Sequence, residues 1–286
     1  MATGHLYVTV PLLNNFATNG NRAVNYLFAA VVDKHLRDYT RADANALRDF
    51  LIKRWLVNTS VKRNFEVVRA IFNLAEREHA LDIKNPFANI LLINIKAGSV
   101  RPPLKPEEVG RLQRLCRKHD DEMRWLIALL SDTGIRLSEA CGLLISDINL
   151  NADVPFISIQ PHQWRSLKTV SSKRTVPLVG ASLWSAHRIV SNASSEFAFP
   201  RYCSPEGHKA DSASNALNKW MRPHVQKGGV VHSFRHSIRD RLREVECPSD
   251  IIDQIGGWQS AGVGQNYGQG YSIKVMHKWL KKIAWQ

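Results

Sequence analysis

The sequence is poor in cysteine, and its few cysteines stand far apart. The four residues form no C-x-x-C pair, so their spacing indicates neither a zinc site nor a disulfide framework: Cys116, Cys141, Cys203 and Cys247. Cys203 lies five residues before His208, but two further ligands are not visible nearby, so no metal is assigned. This cysteine usage fits the reducing cytoplasm.

Long hydrophobic runs are also absent. No apolar stretch approaches the roughly 20 residues that a bilayer-spanning helix needs, and the segment from Trp125 to Leu130 has the length of a helical core segment. The N-terminus from Met1 to Leu13 lacks a secretory signal pattern. The sequence therefore predicts a soluble, cytoplasmic protein with no membrane partner.

Acidic residues are outnumbered. The 286 residues include 39 Lys and Arg against 25 Asp and Glu, which gives a net charge of +14. Such an excess favours a polyanionic partner, with nucleic acid ahead of an anionic membrane. The length and the 44% hydrophobic content are enough for two domains with separate cores.

The first third of the chain has helical patterns. Thr40 with Asp43 resembles a capping box before a helix that runs to about Trp55, Ser60 is expected to cap the next helix, and Asn85-Pro86 is expected to end it. In this second helix an apolar face lies opposite a basic one: Phe65, Val68, Phe72 and Ala75 against Lys62, Arg63, Arg69 and Arg77.

Small, basic and proline residues indicate a linker at 96–104, between a first domain at 1–95 and a second at 105–286. Pro106 marks a helix start in the second domain. Residues 154–160 and 174–178 are β-prone and bracket a polar stretch with Lys168 and Lys173, which predicts a β-hairpin with a basic tip. Further helical patterns follow at Ala216–Met221, His232–Val245 and Ile273–Ile283. The predicted fold class is mainly α with a small β-sheet.

Residues suited to phosphate chemistry are spread over the second domain. Arg136 lies in TGIRLSE (133–139), His232 and Arg235 lie in HSFRH (232–236), and Tyr267 follows. Arginines can grip a phosphodiester through paired donors, a histidine can move a proton, and a tyrosine can attack phosphorus. Together these residues indicate DNA strand cleavage that needs neither metal nor cofactor.

Each of these features alone has an ordinary structural explanation. Arg136 and Glu139 could form a surface salt bridge, His232 and Arg235 could lie on a solvated helix face, and Tyr267 could be a half-buried loop aromatic. The ordered conjunction argues against chance: an arginine motif, a basic hairpin, His-x-x-Arg, Gly-Gly-Trp at 256–258 and a tyrosine nine residues later.

This ordered set resembles the tyrosine recombinase family, in particular the phage-type integrases. Residues 133–139 are similar to the first arginine box of the family, residues 232–236 to its second, and 256–258 to the segment before the nucleophile. Residues 40–87 also look like the family's helical core-binding domain. The resemblance implies a SAM-like helical domain followed by an α+β tyrosine-recombinase catalytic domain with a C-terminal tail helix.

The resemblance also implies roles for the site residues. Arg136 and Arg235 would hold the non-bridging oxygens of the scissile phosphate, His232 would assist proton transfer, and Trp258 would pack near the phosphate. Tyr267 would form a 3′-phosphotyrosine and release a 5′ hydroxyl. Supporting positions are Glu139, which would buttress the arginine motif, and His236.

Two assignments stay open. The family's catalytic lysine sits on a β-hairpin, and Lys168 is preferred over Lys173 because threonine follows it and because of its distance from the second strand. Tyr267 is preferred over Tyr271 on its spacing from Trp258. Relatives often have threonine three residues before the nucleophile, whereas this chain has glycine there, in a run of glycines: Gly262, Gly264, Gly268 and Gly270.

The resemblance implies a site-specific recombinase or integrase that clamps double-stranded DNA, acting as a homotetramer on two DNA sites, with an accessory DNA-bending protein as a further candidate partner. The alternatives are a type IB topoisomerase-like or resolving enzyme and a non-cleaving DNA-binding protein on the same fold. The tail from Ile273 would pack on a neighbouring protomer or on its own domain. The about 20 residues before Asn21 are too few for the arm-binding domain of many phage integrases, so either the sites are simple or the chain is truncated.

Overall fold

The computed structural model describes residues 14–54, 56–80, 84–92, 101–169, 172–258 and 270–285. The chain forms two compact units that divide between Val100 and Arg101, a point inside the 96–104 segment. Each unit has a hydrophobic core of its own. None of the helices in these ranges is long and apolar enough to span a bilayer.

The described part of the first unit contains three helices, α1 (Asn14–Ala30), α2 (Arg41–Lys53) and α3 (Asn58–Glu78), with a short 3₁₀ turn at Leu36–Asp38. The predicted start of α2 is confirmed: the Asp43 carboxylate accepts a hydrogen bond from the Thr40 amide at 2.8 Å. This contact satisfies an amide that would otherwise lack a partner at the helix start.

The predicted faces of α3 are confirmed, but its predicted ends are wrong. The apolar face is buried and the basic face is exposed. The helix begins at Asn58, so Ser60 lies inside its first turn, where the Ser60 carbonyl accepts from Asn64. It ends at Glu78, well before Asn85-Pro86, and Ala80 then adopts a left-handed φ of 47° that cannot continue a right-handed helix.

The described residues of the second unit are mainly helical with a small β-sheet, as predicted, and they include a second, two-stranded sheet that was not predicted. Its helices are α4 (Pro106–His119), α5 (Glu122–Thr133), α6 (Leu137–Cys141), α7 (Gly180–Ser191), α8 (Ala210–Met221), α9 (Ser233–Glu244), α10 (Ser249–Gly256) and α11 (Ile273–Ile283). Strands β1 (Ile148–Asn149), β2 (Phe156–Ile159) and β3 (Arg174–Pro177) form one sheet, and β4 (Cys203–Ser204) pairs with β5 (Gly207–His208). Short 3₁₀ turns span Ile145–Asp147 and Arg222–His224.

Helix α5 lies at the centre of the second core. Every residue from Leu126 to Thr133 is buried, and α5 packs against α4 and α7. The predicted core segment Trp125–Leu130 is thus confirmed, apart from a partly exposed Trp125. The four cysteines are also buried, and burial raises the pKa of Cys116 and of Cys141 to about 12.

The predicted β-hairpin corresponds to β2 and β3, which pair with Ile157 opposite Val176. The predicted helix at Ala216–Met221 is the second half of α8, which begins at Ala210. The last predicted helix, Ile273–Ile283, has those bounds as α11.

Helix α11 packs on its own unit, against β3 and α9. Its apolar face is buried through Met276, Leu280 and Ile283. The buried Arg241 of α9 donates hydrogen bonds to the Ile283 carbonyl and, at 3.0 Å, to Oδ1 of Asp132.

Candidate active site

Arg136 caps the start of α6 and reaches three different segments. Its Nη1 donates to Oε1 of Glu139 at 2.5 Å and to Oγ of Ser172 at 3.0 Å, and its Nη2 donates to the Gly257 carbonyl at 3.4 Å. Arg136 is extended (φ −70°, ψ 146°), so it precedes the helix instead of sharing a helical face with Glu139. Its guanidinium therefore projects from the helix start toward the Gly257 carbonyl.

Glu139 is a buried carboxylate held by two arginines, so the simple surface salt bridge is wrong for this pair. Its side chain is 3% exposed and accepts from Nη2 of Arg174 at 3.0 Å and from the Arg136 amide at 2.9 Å. Burial alone would raise the pKa of Glu139, but the charges and hydrogen bonds of Arg174 and Arg136 outweigh it and hold this pKa below its usual value. Glu139 is thus ionised and fixes Arg136.

Arg174 and Ser172 take part in this cluster, although neither was predicted to have a role. Arg174 donates from Nε to the Ile255 carbonyl at 2.9 Å and from Nη1 to the Ser172 carbonyl at 2.7 Å. Its position at the start of a β-strand was visible in the sequence. Its inward direction was not, because alternation alone does not tell which face of a short strand is covered.

Arg235 is the second arginine of the site and is 5% exposed. It donates from Nη1 to the Gly134 carbonyl at 2.6 Å and from Nη2 to the Gly256 carbonyl at 2.9 Å. Burial, and then the positive charge of Arg136, lower the pKa of Arg235 to about 10. The two arginines thus donate to the carbonyls of consecutive residues, Gly256 and Gly257.

The two glycines at the end of α10 are required by close contacts. A Cβ on Gly256 would lie 1.8 Å from Cζ3 of Trp258, and one on Gly257 would lie 2.8 Å from Nη1 of Arg174. Gly257 is also left-handed, with φ of 62°. The Trp258 ring can therefore turn back over Arg235, whose guanidinium carbon lies 4.7 Å from the ring centroid.

His232 immediately precedes α9, and its ring contacts that of His236 at a centroid distance of 5.4 Å. Both residues are exposed. The pKa of His232 is nevertheless lowered to about 4, first because the protein removes water from part of the imidazole and then because Arg235 and His236 add positive charge. The imidazole is therefore neutral at pH 7 and can accept a proton.

The two candidate lysines, Lys168 and Lys173, are exposed and lie between β2 and β3. Of the candidate nucleophiles, Tyr267 lies outside the described residues. Tyr271 is described: its hydroxyl donates to Oδ2 of Asp250, and its amide donates to Oε1 of Gln254 at 2.8 Å. The hydrogen bond to Asp250 raises the pKa of the Tyr271 phenol.

Metal ligands do not gather in the described part of the chain, where no group of three or more His, Cys, Asp or Glu side chains could hold an ion. Cys203 and His208 are register partners across β4 and β5. The described site instead concentrates fixed positive charge and hydrogen-bond donors, which suit a phosphate group.

Comparison with known proteins identifies the family of this chain. A family model described as the phage integrase family matches residues 103–272, more than half of the chain. Tyrosine recombinase XerA of Pyrococcus furiosus is 24% identical over 184 residues, which cover 63% of this chain and 60% of that protein. A tyrosine recombinase of Agathobacter rectalis is 25% identical over 230 residues, 73% of this chain and 71% of that one.

Solved structures of two integrases share the fold. The Tn1549 transposon integrase in complex with circular intermediate DNA has a TM-score of 0.69 at 16% identity, covering 96% of this chain and 95% of that one. A lambda integrase tetramer bound to a Holliday junction has a TM-score of 0.66 at 14% identity, covering 90% and 72%. The fold is that of the integrases, and the chain belongs to the phage integrase family.

Proposed function

We propose that this protein is a cytoplasmic site-specific DNA recombinase or integrase. It cleaves and rejoins DNA strands through a 3′-phosphotyrosine intermediate, with catalytic groups Arg136, Lys168, His232, Arg235 and Trp258 and the nucleophile Tyr267. Membership of the phage integrase family and the DNA-bound integrases of the same fold support this proposal.

One observation carries the proposal: Arg136 and Arg235, far apart in sequence, bind the adjacent carbonyls of Gly257 and Gly256. Bringing two guanidinium groups together costs electrostatic energy: after burial, the positive charge of Arg136 is the next cause of the lowered pKa of Arg235. A bound phosphate would offset that repulsion. In a transition state with more negative charge on the phosphoryl oxygens, the same two groups would bind more strongly still.

The chemistry would proceed by one bond exchange at phosphorus. The hydroxyl oxygen of Tyr267 forms a bond to phosphorus as the bond from phosphorus to the 5′ oxygen breaks. The phenol proton passes to the neutral imidazole of His232, and the 5′ oxygen takes a proton from Nζ of Lys168. The ester conserves the bond energy, so a 5′ hydroxyl can reverse the step on another strand without ATP.

The first test is detection of covalent protein on nicked duplexes by denaturing gel electrophoresis. A random-sequence pool of duplexes allows the target to be recovered with the adduct. We expect Tyr267→Phe to abolish the adduct and Tyr271→Phe to retain it, since the Tyr271 hydroxyl is engaged by Asp250. Duplex binding by the parent without any adduct would favour the non-cleaving alternative.

The arginines are tested by separating cleavage from binding. Arg136→Ala and Arg235→Ala should each lose cleavage by about 10²-fold or more, as for removal of one oxyanion donor, while retaining much of the DNA affinity. Affinity persists because many backbone contacts share it. Cleavage at the parent rate by either variant would contradict the site assignment.

The lysine is tested with a substrate whose 5′ bridging oxygen is replaced by sulfur, a leaving group that needs no protonation. Lys168→Ala should be slow on the normal substrate and close to the parent on the sulfur substrate, whereas Lys173→Ala should behave like the parent on both. The reverse pattern would assign the general acid to Lys173.

The domain plan and assembly are part of the proposal. The first 95 residues would form the SAM-like core DNA-binding domain, 96–104 the linker, and 105–286 the catalytic domain. Four protomers would act on two double-stranded DNA sites, with an accessory bending protein where a site requires it; the lambda integrase tetramer on a Holliday junction supports this stoichiometry. Strand exchange between two labelled duplexes separates this activity from a topoisomerase-like one, which rejoins only its own strand.

A further inference from the structure

The segment between β2 and β3 starts with a tight turn. The His162 amide donates to the Arg165 carbonyl at 2.9 Å, and the Arg165 amide donates to the His162 carbonyl at 3.0 Å. These two reciprocal bonds close a loop over Gln163 and Trp164. The chain direction at Arg165, three residues before Lys168, is therefore fixed locally.

Side chains of this turn are tied to the segment that follows α6. Nε2 of His162 lies 2.8 Å from Oδ2 of Asp147, whose side chain is fully buried. Nε2 of Gln160 donates to Oδ1 of Asp147 at 2.7 Å, and Nε1 of Trp164 donates to the Gly142 carbonyl at 3.2 Å. The turn is thus attached to this segment at two points, Gly142 and Asp147.

Arg165 is the deepest anchor of the turn. It is 2% exposed, and its guanidinium donates to the Glu139 carbonyl at 2.5 Å and to the Gln160 carbonyl. The absence of a side chain at Gly142 makes room for it, because a Cβ there would lie 2.6 Å from Cδ of Arg165. Both bonds are to carbonyl groups, so they fix one stretch of backbone against another.

The lysine segment comprises residues 166–171 and contains Lys168. The contacts made at both of its ends meet at Glu139. At the first end, Arg165 binds the Glu139 carbonyl. At the second end, Arg174 binds the Glu139 carboxylate at 3.0 Å, and Ser172 accepts from Arg136, which binds the same carboxylate.

The span between these ends is short. Only six residues, 166–171, separate Arg165 from Ser172. Lys168 is three residues from Arg165, so its Cα lies within about 11 Å of that anchor, since each residue adds at most about 3.6 Å of reach. The position of Lys168 relative to Arg136 therefore depends on where Arg165 holds the chain.

We infer that Arg165 is a positioning residue for the general acid: by tying the first end of the lysine segment to the Glu139 carbonyl, it sets where Nζ of Lys168 meets the leaving 5′ oxygen. This inference rests on the proposed function and on Lys168 as the proton donor. Arg165 itself transfers no proton and touches no substrate.

The experiment compares Arg165→Met with the parent in single-turnover cleavage of two substrates, one with the normal 5′ oxygen and one with bridging sulfur. General acid catalysis contributes about 10²- to 10⁴-fold, so misplacing the lysine should slow cleavage of the normal substrate by about 10²-fold. The sulfur substrate, which needs no proton, should be cleaved within about 3-fold of the parent rate. The double variant Arg165→Met with Lys168→Ala should be no slower than Lys168→Ala alone.

The control is Arg241→Met, which removes another buried arginine, one that binds the carbonyls of Ser131 and Ile283 and the carboxylate of Asp132. Damage to the domain core should affect both substrates equally in this control. Equal losses on the two substrates for Arg165→Met, or no loss on either, would overturn the inference.

A milder variant tests the inference if Arg165→Met does not fold. Trp164→Phe removes the hydrogen bond to the Gly142 carbonyl and the indole stacked on His162 but keeps an aromatic ring, and a smaller loss confined to the oxygen substrate is expected; equal or absent losses would again overturn the inference. Lys168→Ala separates the two levels of the proposal. If sulfur rescues Lys168→Ala but not the Arg165 variants, the inference fails and the function stands. If sulfur does not rescue Lys168→Ala, the assignment of the general acid fails first.

Discussion

At the scale of single residues, Glu139 is the carboxylate on which the arginine cluster depends. Two arginines and one backbone amide are bound to its side chain, and its own carbonyl binds a third arginine. Ion pairs of this kind are expensive to assemble, and removal of one partner leaves charge buried without compensation. The assembled ion pairs therefore add little net stability and mainly set the positions of the cations, whereas loss of Glu139 alone would be strongly destabilising.

Glu139→Gln should lower the free energy of unfolding by about 3–5 kcal/mol, the usual effect of leaving a buried charge unpaired. Urea unfolding at pH 7 measures it. The control is Asp121→Asn, which breaks an ion pair with Arg124 in which the Asp121 side chain is 50% exposed and should cost less than about 1 kcal/mol. Similar losses for the two variants would show that Glu139 is not coupled to the arginines as described.

His232 should titrate far below an ordinary histidine. Its pKa of about 4 means that the folded protein binds this proton less readily than the unfolded chain, whose histidines titrate near 6.5. The stability associated with the neutral ring is complete above pH 6.5 and is lost as pH falls from there toward 4. The ring resonances followed by NMR, assigned with His232→Gln, should have a midpoint near 4; a midpoint near 6.5 would contradict the environment described.

At the scale of elements, residues 256–258 at the end of α10 form a joint: here α10, Arg174 of β3 and the Trp258 ring come into contact. Gly257 combines a left-handed backbone with an approach of Arg174 that leaves no room for a side chain. Its carbonyl and that of Gly256 face the two arginines. A change at this joint is therefore transmitted to both guanidinium groups.

Gly257→Ala should destabilise the protein by more than about 1 kcal/mol, since alanine is strained at positive φ and its Cβ would displace Arg174. Thermal unfolding measures the change. Gly20→Ala is the matched control: a Cβ there meets nothing within 4 Å, and alanine inside α1 should raise stability by about 0.4–1 kcal/mol. A neutral or stabilising Gly257→Ala would mean that this joint is less constrained than its contacts indicate.

The sequence predicted elements and motifs well where the signal is local. The α2 capping box, the two faces of α3 and the bounds of α11 follow from spacing along one helix. The roles of Arg174, Ser172 and Arg165 do not, because their partners lie on other elements. The end of α3 was missed because the turn at Ala80, which follows this end, has no glycine or proline to mark it.

At the scale of the whole molecule, the basic residues that give the net charge of +14 include two groups with different surroundings. Some cations are buried in the cluster around Glu139. Others, including the four basic residues on the outer face of α3, are exposed to solvent. The two groups should respond differently to salt, because exposed charges are screened and buried ones much less so.

Arg63→Ala combined with Arg69→Ala should weaken duplex binding about equally for all sequences and reduce the slope of log affinity against log salt by about 2, one for each lost phosphate contact. Fluorescence anisotropy from 50 to 200 mM salt measures the slope. Cleavage by saturating protein should remain at the parent rate, since neither residue belongs to the proposed site. An unchanged slope would remove this face of α3 from the DNA interface.

The burial of all four native thiols has a practical consequence for chemical labelling. Thiol reagents attack the thiolate, and burial raises the pKa of these groups, to about 12 for Cys116 and Cys141 and about 11 for Cys247. The native protein should therefore react slowly with maleimides near pH 7. A single cysteine introduced on an exposed surface would then accept a fluorophore or a disulfide tether to DNA without removal of the native ones.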